Sequence, residues 1–203
     1  MSDAYIDEVP FSPRLLERAC DVSRSYAERA AEAGAYRHLL LVCGARDALW
    51  KYTRAHNGYL VGDFRGVSLG DPDERVYELF DRMQKAEGGH RDLAMSFGDD
   101  GVVVRNSVEI LYADPLADMN GTCAEIGRIK GEVGAGHIAI ARGSLNPGFL
   151  FGIGLSEDAG TVIPFVAGKI WRPGLYIPAE RKPATGADAA GEAVPAADAA
   201  DAE

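Results

Sequence analysis

The chain has 203 residues, 47% of them apolar, and a formal charge of −10. That is enough for one well-filled core of about 150–180 residues and too little for two full domains. Asp188, Glu192, Asp198, Asp201 and Glu203 lie in a segment, 183–203, that carries no base, so the remainder is near −5 with acids and bases almost balanced. This excludes a nucleic-acid groove as the main surface.

Cys20, Cys43 and Cys123 are odd in number and widely spaced. Buried thiols fit that pattern better than a disulfide framework or a zinc site. The N-terminus lacks a basic stretch followed by an apolar one, and no run approaches the roughly 18 apolar residues that span a bilayer. A soluble, cytoplasmic protein is expected, with neither membrane nor nucleic acid as partner.

Ser12-Pro13 reads as an N-cap with proline at the first helical position, and Leu15, Leu16, Ala19, Val22, Tyr26, Ala27 and Ala30 recur at helical spacing until Gly34. His38 to Cys43 is a continuous apolar run stopped by Gly44, the pattern of a central strand covered on both faces. Arg46 to His56 reads as a helix ending before the Asn57-Gly58 turn, and Tyr59 to Phe64 as a further strand. Asp71-Pro72-Asp73-Glu74 opens another helix, with Val76, Leu79, Phe80 and Met83 as its buried stripe and Gly88-Gly89 as its stop.

Val102 to Arg105 and Val108 to Tyr112 flank Asn106-Ser107 as a compact hairpin. A second hairpin joins Phe149–Leu155 to Thr161–Val166 around Glu157 to Gly160, with Lys169 to Arg172 extending it. Helices come first and hairpins later, so the expected fold is α/β, a mixed sheet flanked by helices. We divide it into an N-terminal helical segment (1–36) packed on the core, a main domain (37–180) and a disordered acidic, alanine-rich tail (181–203).

Three fragments carry polar chemistry. Asp99-Asp100-Gly101 precedes a strand and places a carboxylate at its edge. The glycine-rich stretch 131–136 leads through His137 into a short helix, Ile138 to Arg142, and free backbone N–H groups at a helix start suit an anion. Ser156-Glu157-Asp158 ends the next strand with two acids. Each has a plainer reading: a turn, a flexible loop, a structural histidine, turn acids. A dinucleotide fingerprint is not met, and no Gly-Lys-Ser/Thr exists for a P-loop. His38, His56 and His90 share no ligand spacing, and Trp50 and Trp171 read as core or edge packing.

Taken in order, Asp-Gly-Val at 100–102, Gly-Ala-Gly-His at 134–137 and Ser-Glu-Asp-Ala-Gly-Thr-Val at 156–162 resemble the diadenylate cyclase domain (DisA-type, or DAC, fold). The Asp-Pro-x-x-Arg-Val segment at 71–76 is similar too, and the resemblance covers roughly 37–172. In that family an Asp-Gly-Ala motif supplies a metal-binding carboxylate, Gly-Thr-Arg-His-Arg holds phosphates, and Ser-Glu-Glu-x-Gly adds a further acid. The resemblance implies a metal-dependent nucleotidyltransferase that condenses two ATP, held face to face by two copies, into cyclic di-AMP, a signalling nucleotide.

Carried over residue by residue, Asp100 and Gly101 would be catalytic. Gly134, Ala135, Gly136, His137, Ser156 and Glu157 would bind nucleotide and phosphate, and Asp100, His137 and Glu157 would hold Mg²⁺ or Mn²⁺. At least a transient homodimer is implied. The chain departs from the family where the two motif arginines stand: it has Gly136 and Ile138, leaving Arg128, Lys130 and Arg142 as substitutes, and Val102 replaces alanine. The expectation is therefore a divergent cyclase or, favoured, a nucleotide sensor with lost or altered catalysis. The alternatives are a noncatalytic interaction subunit without a nucleotide ligand, whose acidic tail provides solubility or binds a basic partner, and another nucleotide-utilising α/β enzyme.

Overall fold

A computed structural model describes residues 4–33, 38–55, 64–86, 94–131, 133–156 and 160–178. All but the last residue of the strand expected over 59–64, the Gly88-Gly89 stop, His56, His90, Glu157, Asp158 and the tail 181–203 lie outside them. In chain order the elements are β1 (Tyr5–Ile6), α1 (Arg14–Glu32), β2 (Leu39–Gly44), α2 (Arg46–Tyr52), β3 (Thr53–Ala55), α3 (Asp73–Ala86), β4 (Ala94–Gly98) and β5 (Val103–Ile110). Then come α4 (Asn120–Lys130), α5 (Ala135–Gly143), β6 (Phe149–Leu155), β7 (Val162–Val166) and β8 (Lys169–Trp171).

Among the described residues the strands form one eight-stranded sheet in the order β1-β8-β7-β6-β2-β4-β5-β3. β1 with β8 and β2 with β4 are parallel; every other neighbouring pair is antiparallel. The expected mixed α/β sheet is the observed one. β2 sits near its middle because Leu39, Leu41 and Cys43 feed one core while Leu40 and Val42 feed the other. With period-two alternation and both faces covered, a strand must be apolar throughout.

α1 and α3 cover the first face, and α2, α4 and α5 the second. Leu16, Ala19, Val22, Tyr26, Ala27 and Ala30 of α1 are buried, as are Val76, Leu79, Phe80 and Met83 of α3, so both predicted stripes are the packed ones. α5 reaches β6 through two glycines. A Cβ at Gly152 would stand 2.4 Å from Ile140 Cγ2, and one at Gly154 would stand 2.7 Å from His137 Cδ2. Alternate residues 152 and 154 thus give up side chains so that helix and strand can close up.

Four expectations are corrected. The helix predicted to run to His56 ends at Tyr52, because Thr53 turns extended (φ −132°, ψ 147°) and begins β3. No hairpin forms at Asn106-Ser107; Val103–Ile110 is one strand, and the turn lies at 99–101, where Gly101 supplies φ +77°. Trp171 is buried, but Trp50 is 56% exposed, with the Arg105 guanidinium stacked 3.7 Å from its ring centre. α4 and β1, for which no element was predicted, complete the second face and one sheet edge.

Candidate functional site

The pairing registers assign each motif to an end of the sheet. Gly44 pairs with Gly98 and Phe149, while Leu39 pairs with Leu155. The Asp99–Gly101 turn follows Gly98, whereas Ser156 follows Leu155, so the two stand at opposite ends of β2. Five residue steps of strand separate those levels, about 17 Å.

At the Gly98 end, Asp100 is a turn residue. Its Oδ1 accepts a 3.0 Å hydrogen bond from the Val102 N–H, and its Oδ2 pairs with Arg46 Nη2 at 3.0 Å. The side chain is 50% exposed. Slight burial penalises the anion, but the Val102 N–H and the Arg46 guanidinium outweigh it and hold the carboxyl below its ordinary range. Gly101 packs under α1, where a Cβ would meet Leu15 Cδ1 at 2.8 Å. Both residues have complete structural roles.

The other end is built differently. Gly134, extended at φ −77° and ψ 144°, precedes α5, whose start has no side-chain cap and no acid in its first turn. The first bonds to the Gly134 carbonyl come from the N–H of His137 (3.2 Å) and Ile138 (3.3 Å). Helix geometry therefore gives the N–H groups of Ala135 and Gly136 no intrahelical acceptor, and they carry the positive end of the helix dipole.

His137, one turn in, is 1% exposed, with its Cδ2 and Nε2 atoms against Gly154. Lys130 Nζ approaches its Nδ1 at 3.4 Å. An ammonium only donates, so Nδ1 accepts and the ring proton sits on Nε2. Burial, then the Lys130 ammonium and then His38, drive the imidazole pKa down to about 3, the Gly154 backbone pulling the other way. His137 is thus a neutral donor, and its Nε2 makes no hydrogen bond of acceptable geometry among the described residues.

Two hydroxyls share that condition. Ser156 is 1% and Thr161 0% exposed, and neither side-chain oxygen has a partner among the described residues. The backbone binds them together: Ser156 N–H donates to the Thr161 carbonyl at 2.9 Å, and the Gly160 N–H to the Ser156 carbonyl at 3.1 Å. Along β6, residue 152 faces Ile140 and residue 154 faces His137. Alternation then points residue 156 at the start of α5, with Thr161 as its cross-strand neighbour on the same face.

The structure therefore brings together Gly134, Ala135, Gly136, His137 and Ser156, with Lys130, one of the suggested arginine substitutes, beside His137, and adds Thr161, to which no site role had been given. The paired orphan hydroxyls show only once the β6–β7 register is known. Asp100 and Gly101 do not belong to this group, so the expected sharing of one metal by Asp100 and His137 within a chain is not formed. Among the described residues, no cluster of three or more His, Cys, Asp or Glu could hold a metal ion. Glu157, the third residue of the Mg²⁺ or Mn²⁺ set implied by the resemblance, lies outside the described residues. Arg128 is engaged by Glu125 and Tyr5, and Arg142 lies over Tyr112 at the far end of α5. Only Lys130 of the three suggested substitutes reaches the start of the helix.

No family model matches the chain, and no curated protein does either. Among solved structures, it is similar to a hypothetical membrane spanning protein from Bacillus cereus, at 12% identity and TM-score 0.47, over 75% of this chain and 62% of that one. It is also similar to a double mutant of DacA from Staphylococcus aureus, at 18% identity and TM-score 0.45, over 77% of this chain and 84% of that one. The chain thus spans less than two thirds of the Bacillus cereus structure. In the present chain, among the described residues, no helix is long and apolar enough to cross a membrane.

Proposed function

We propose that the protein binds a nucleotide through a phosphate seated at the start of α5, and that it does so without condensing two nucleotides. One observation carries this: three buried polar atoms, His137 Nε2, Ser156 Oγ and Thr161 Oγ1, lack partners among the described residues on the sheet face that α5 covers, and the start of α5 has no side-chain cap. A buried, unpaired polar group costs about 1–3 kcal/mol. Three on one covered face are expensive unless something pairs with them, and a phosphate accepts from every such group. The motif resemblance to the diadenylate cyclase domain supports a nucleotide as the carrier of that phosphate.

Condensation is disfavoured by what the chain has at the reacting positions. Gly136 and Ile138 stand where the family's arginines would offset phosphate charge, and an arginine acting on transition-state charge is worth about 10³-fold in rate or more. Asp100, the residue expected to activate the hydroxyl, is at the other end of the sheet and tied to Arg46. Binding alone needs no face-to-face pairing of two copies.

The test is thermal unfolding with ATP, ADP, AMP and cyclic di-AMP, since a ligand selective for the native state raises its apparent stability. A rise with at least one of them is expected. No shift with any would sink the reading and favour an interaction subunit without a nucleotide. Incubation with ATP and Mn²⁺ should yield no cyclic di-AMP; catalytic production of it would overturn the loss of condensation.

A further inference from the structure

Resting on that reading, we infer that Val133 and Ile138 form an apolar wall beside the start of α5, against which the nucleoside packs while the phosphate sits on the helix N–H groups. Gly134 is the cap position of α5, so Val133 is the residue before the cap and Ile138 the fourth residue of the helix, two positions that face one another at a helix start. Val133 is 39% exposed and Ile138 half-buried, and among the described residues neither joins either hydrophobic core. Ala135, between them in sequence, is exposed, so the pair borders the open side of the helix start.

Val133 is seated by what α4 lacks. A Cβ at Gly127 would stand 3.2 Å from Val133 Cγ2, so the side chain rests on bare helix backbone. The two residues leave apolar surface in water next to backbone N–H donors, and sites for small molecules combine an apolar lining with a few polar groups that fix orientation. A free phosphate would use the donors alone, whereas a nucleotide uses both, with its ribose or base on Val133 and Ile138. Where the resembled family has an arginine, Ile138 thus offers apolar contact instead of charge.

The experiment is calorimetric titration of AMP and of inorganic phosphate into wild type, Val133→Thr and Ile138→Thr, threonine keeping the branching at Cβ while adding a hydroxyl. Wild type should bind AMP more tightly than phosphate by about tenfold or more, as expected when apolar surface is covered. Each variant should lose about 10-fold in AMP affinity, the scale on which an apolar pocket discriminates. Unchanged AMP affinity in either variant overturns the inference, and a shifted unfolding midpoint alongside it would assign the pair to the packing of the helix start alone. Wild type that binds phosphate as tightly as AMP overturns it too. Should a variant fail to fold, nuclear Overhauser effects in wild type between AMP ribose or base protons and the methyl groups of Val133 and Ile138 decide the matter; bound AMP without them overturns the wall. Wild type that binds neither AMP nor phosphate overturns the nucleotide reading itself, and this inference falls with it.

Discussion

Gly154 lies directly under the imidazole of His137: a Cβ at residue 154 would come within 2.7 Å of Cδ2 and 2.9 Å of Nε2. The strand glycine thus fixes where the ring sits, with Nε2 toward β6 and Nδ1 toward Lys130. Gly154→Ala should destabilise the fold by about 1–3 kcal/mol, the usual cost of overpacking. Gly152→Ala, which would press on Ile140 Cγ2 at 2.4 Å, should fall in the same range. Denaturant unfolding of the two variants checks this; wild-type midpoints in both would contradict the close seating of α5 on β6.

Ser156→Ala separates a binding role from a structural one. The buried hydroxyl has no partner among the described residues, so removing it should leave the ligand-free protein as stable as wild type, or more stable by about 1 kcal/mol. Affinity for the nucleotide should nevertheless fall about tenfold. Paired unfolding and titration measurements read both quantities. A clear loss of stability with unchanged affinity would assign Ser156 to the fold.

Asp100→Asn removes half of an exposed pair with Arg46, and such pairs contribute about 0–1 kcal/mol. Nucleotide affinity should stay within about twofold of wild type, since the α5 site is about 17 Å away along the sheet. Gly101→Ala should be the more damaging change, by about 1–2 kcal/mol, because φ +77° disfavours a side chain and Leu15 blocks its Cβ. If Asp100→Asn abolished binding while the fold survived, the two ends would have to be one site.

His137 gives a pH signature. Its folded pKa, about 3, lies below the ordinary 6.5, so between those values the unfolded chain binds a proton that the folded protein does not. Stability from this group is complete above pH 6.5 and is lost as pH falls toward 3, with a slope of at most about 1.4 kcal/mol per pH unit. In His137→Gln that component should vanish, so the difference in unfolding free energy between wild type and variant should change with pH below 6.5 and be flat above it. Lys130 and His38, which face the ring, stay in place in both proteins. A difference that does not vary with pH would mean His137 titrates normally.

Much of the fold was legible because burial repeats with the backbone. The run 38–43 could satisfy two apolar cores only as a covered strand, and Val76, Leu79, Phe80 and Met83 could meet one core only as a helix. α4 escaped notice because Gly121 and Gly127 dilute its apolar spacing, and the false turn at Asn106-Ser107 arose where no residue supplied the positive φ that Gly101 does. The site was half legible. Glycines before His137 do open a helix, but the order of motifs along the chain does not say which end of the sheet each will reach. Strand direction and register decide that, and they set Asp100 apart from His137.

A crystal structure grown with AMP tests the central claim most directly. The phosphate oxygens should lie about 2.7–3.2 Å from the Ala135 or Gly136 N–H and from Ser156 Oγ, with Lys130 Nζ alongside. Ordered phosphate at the Asp99–Gly101 turn, with the start of α5 left bare, would contradict it.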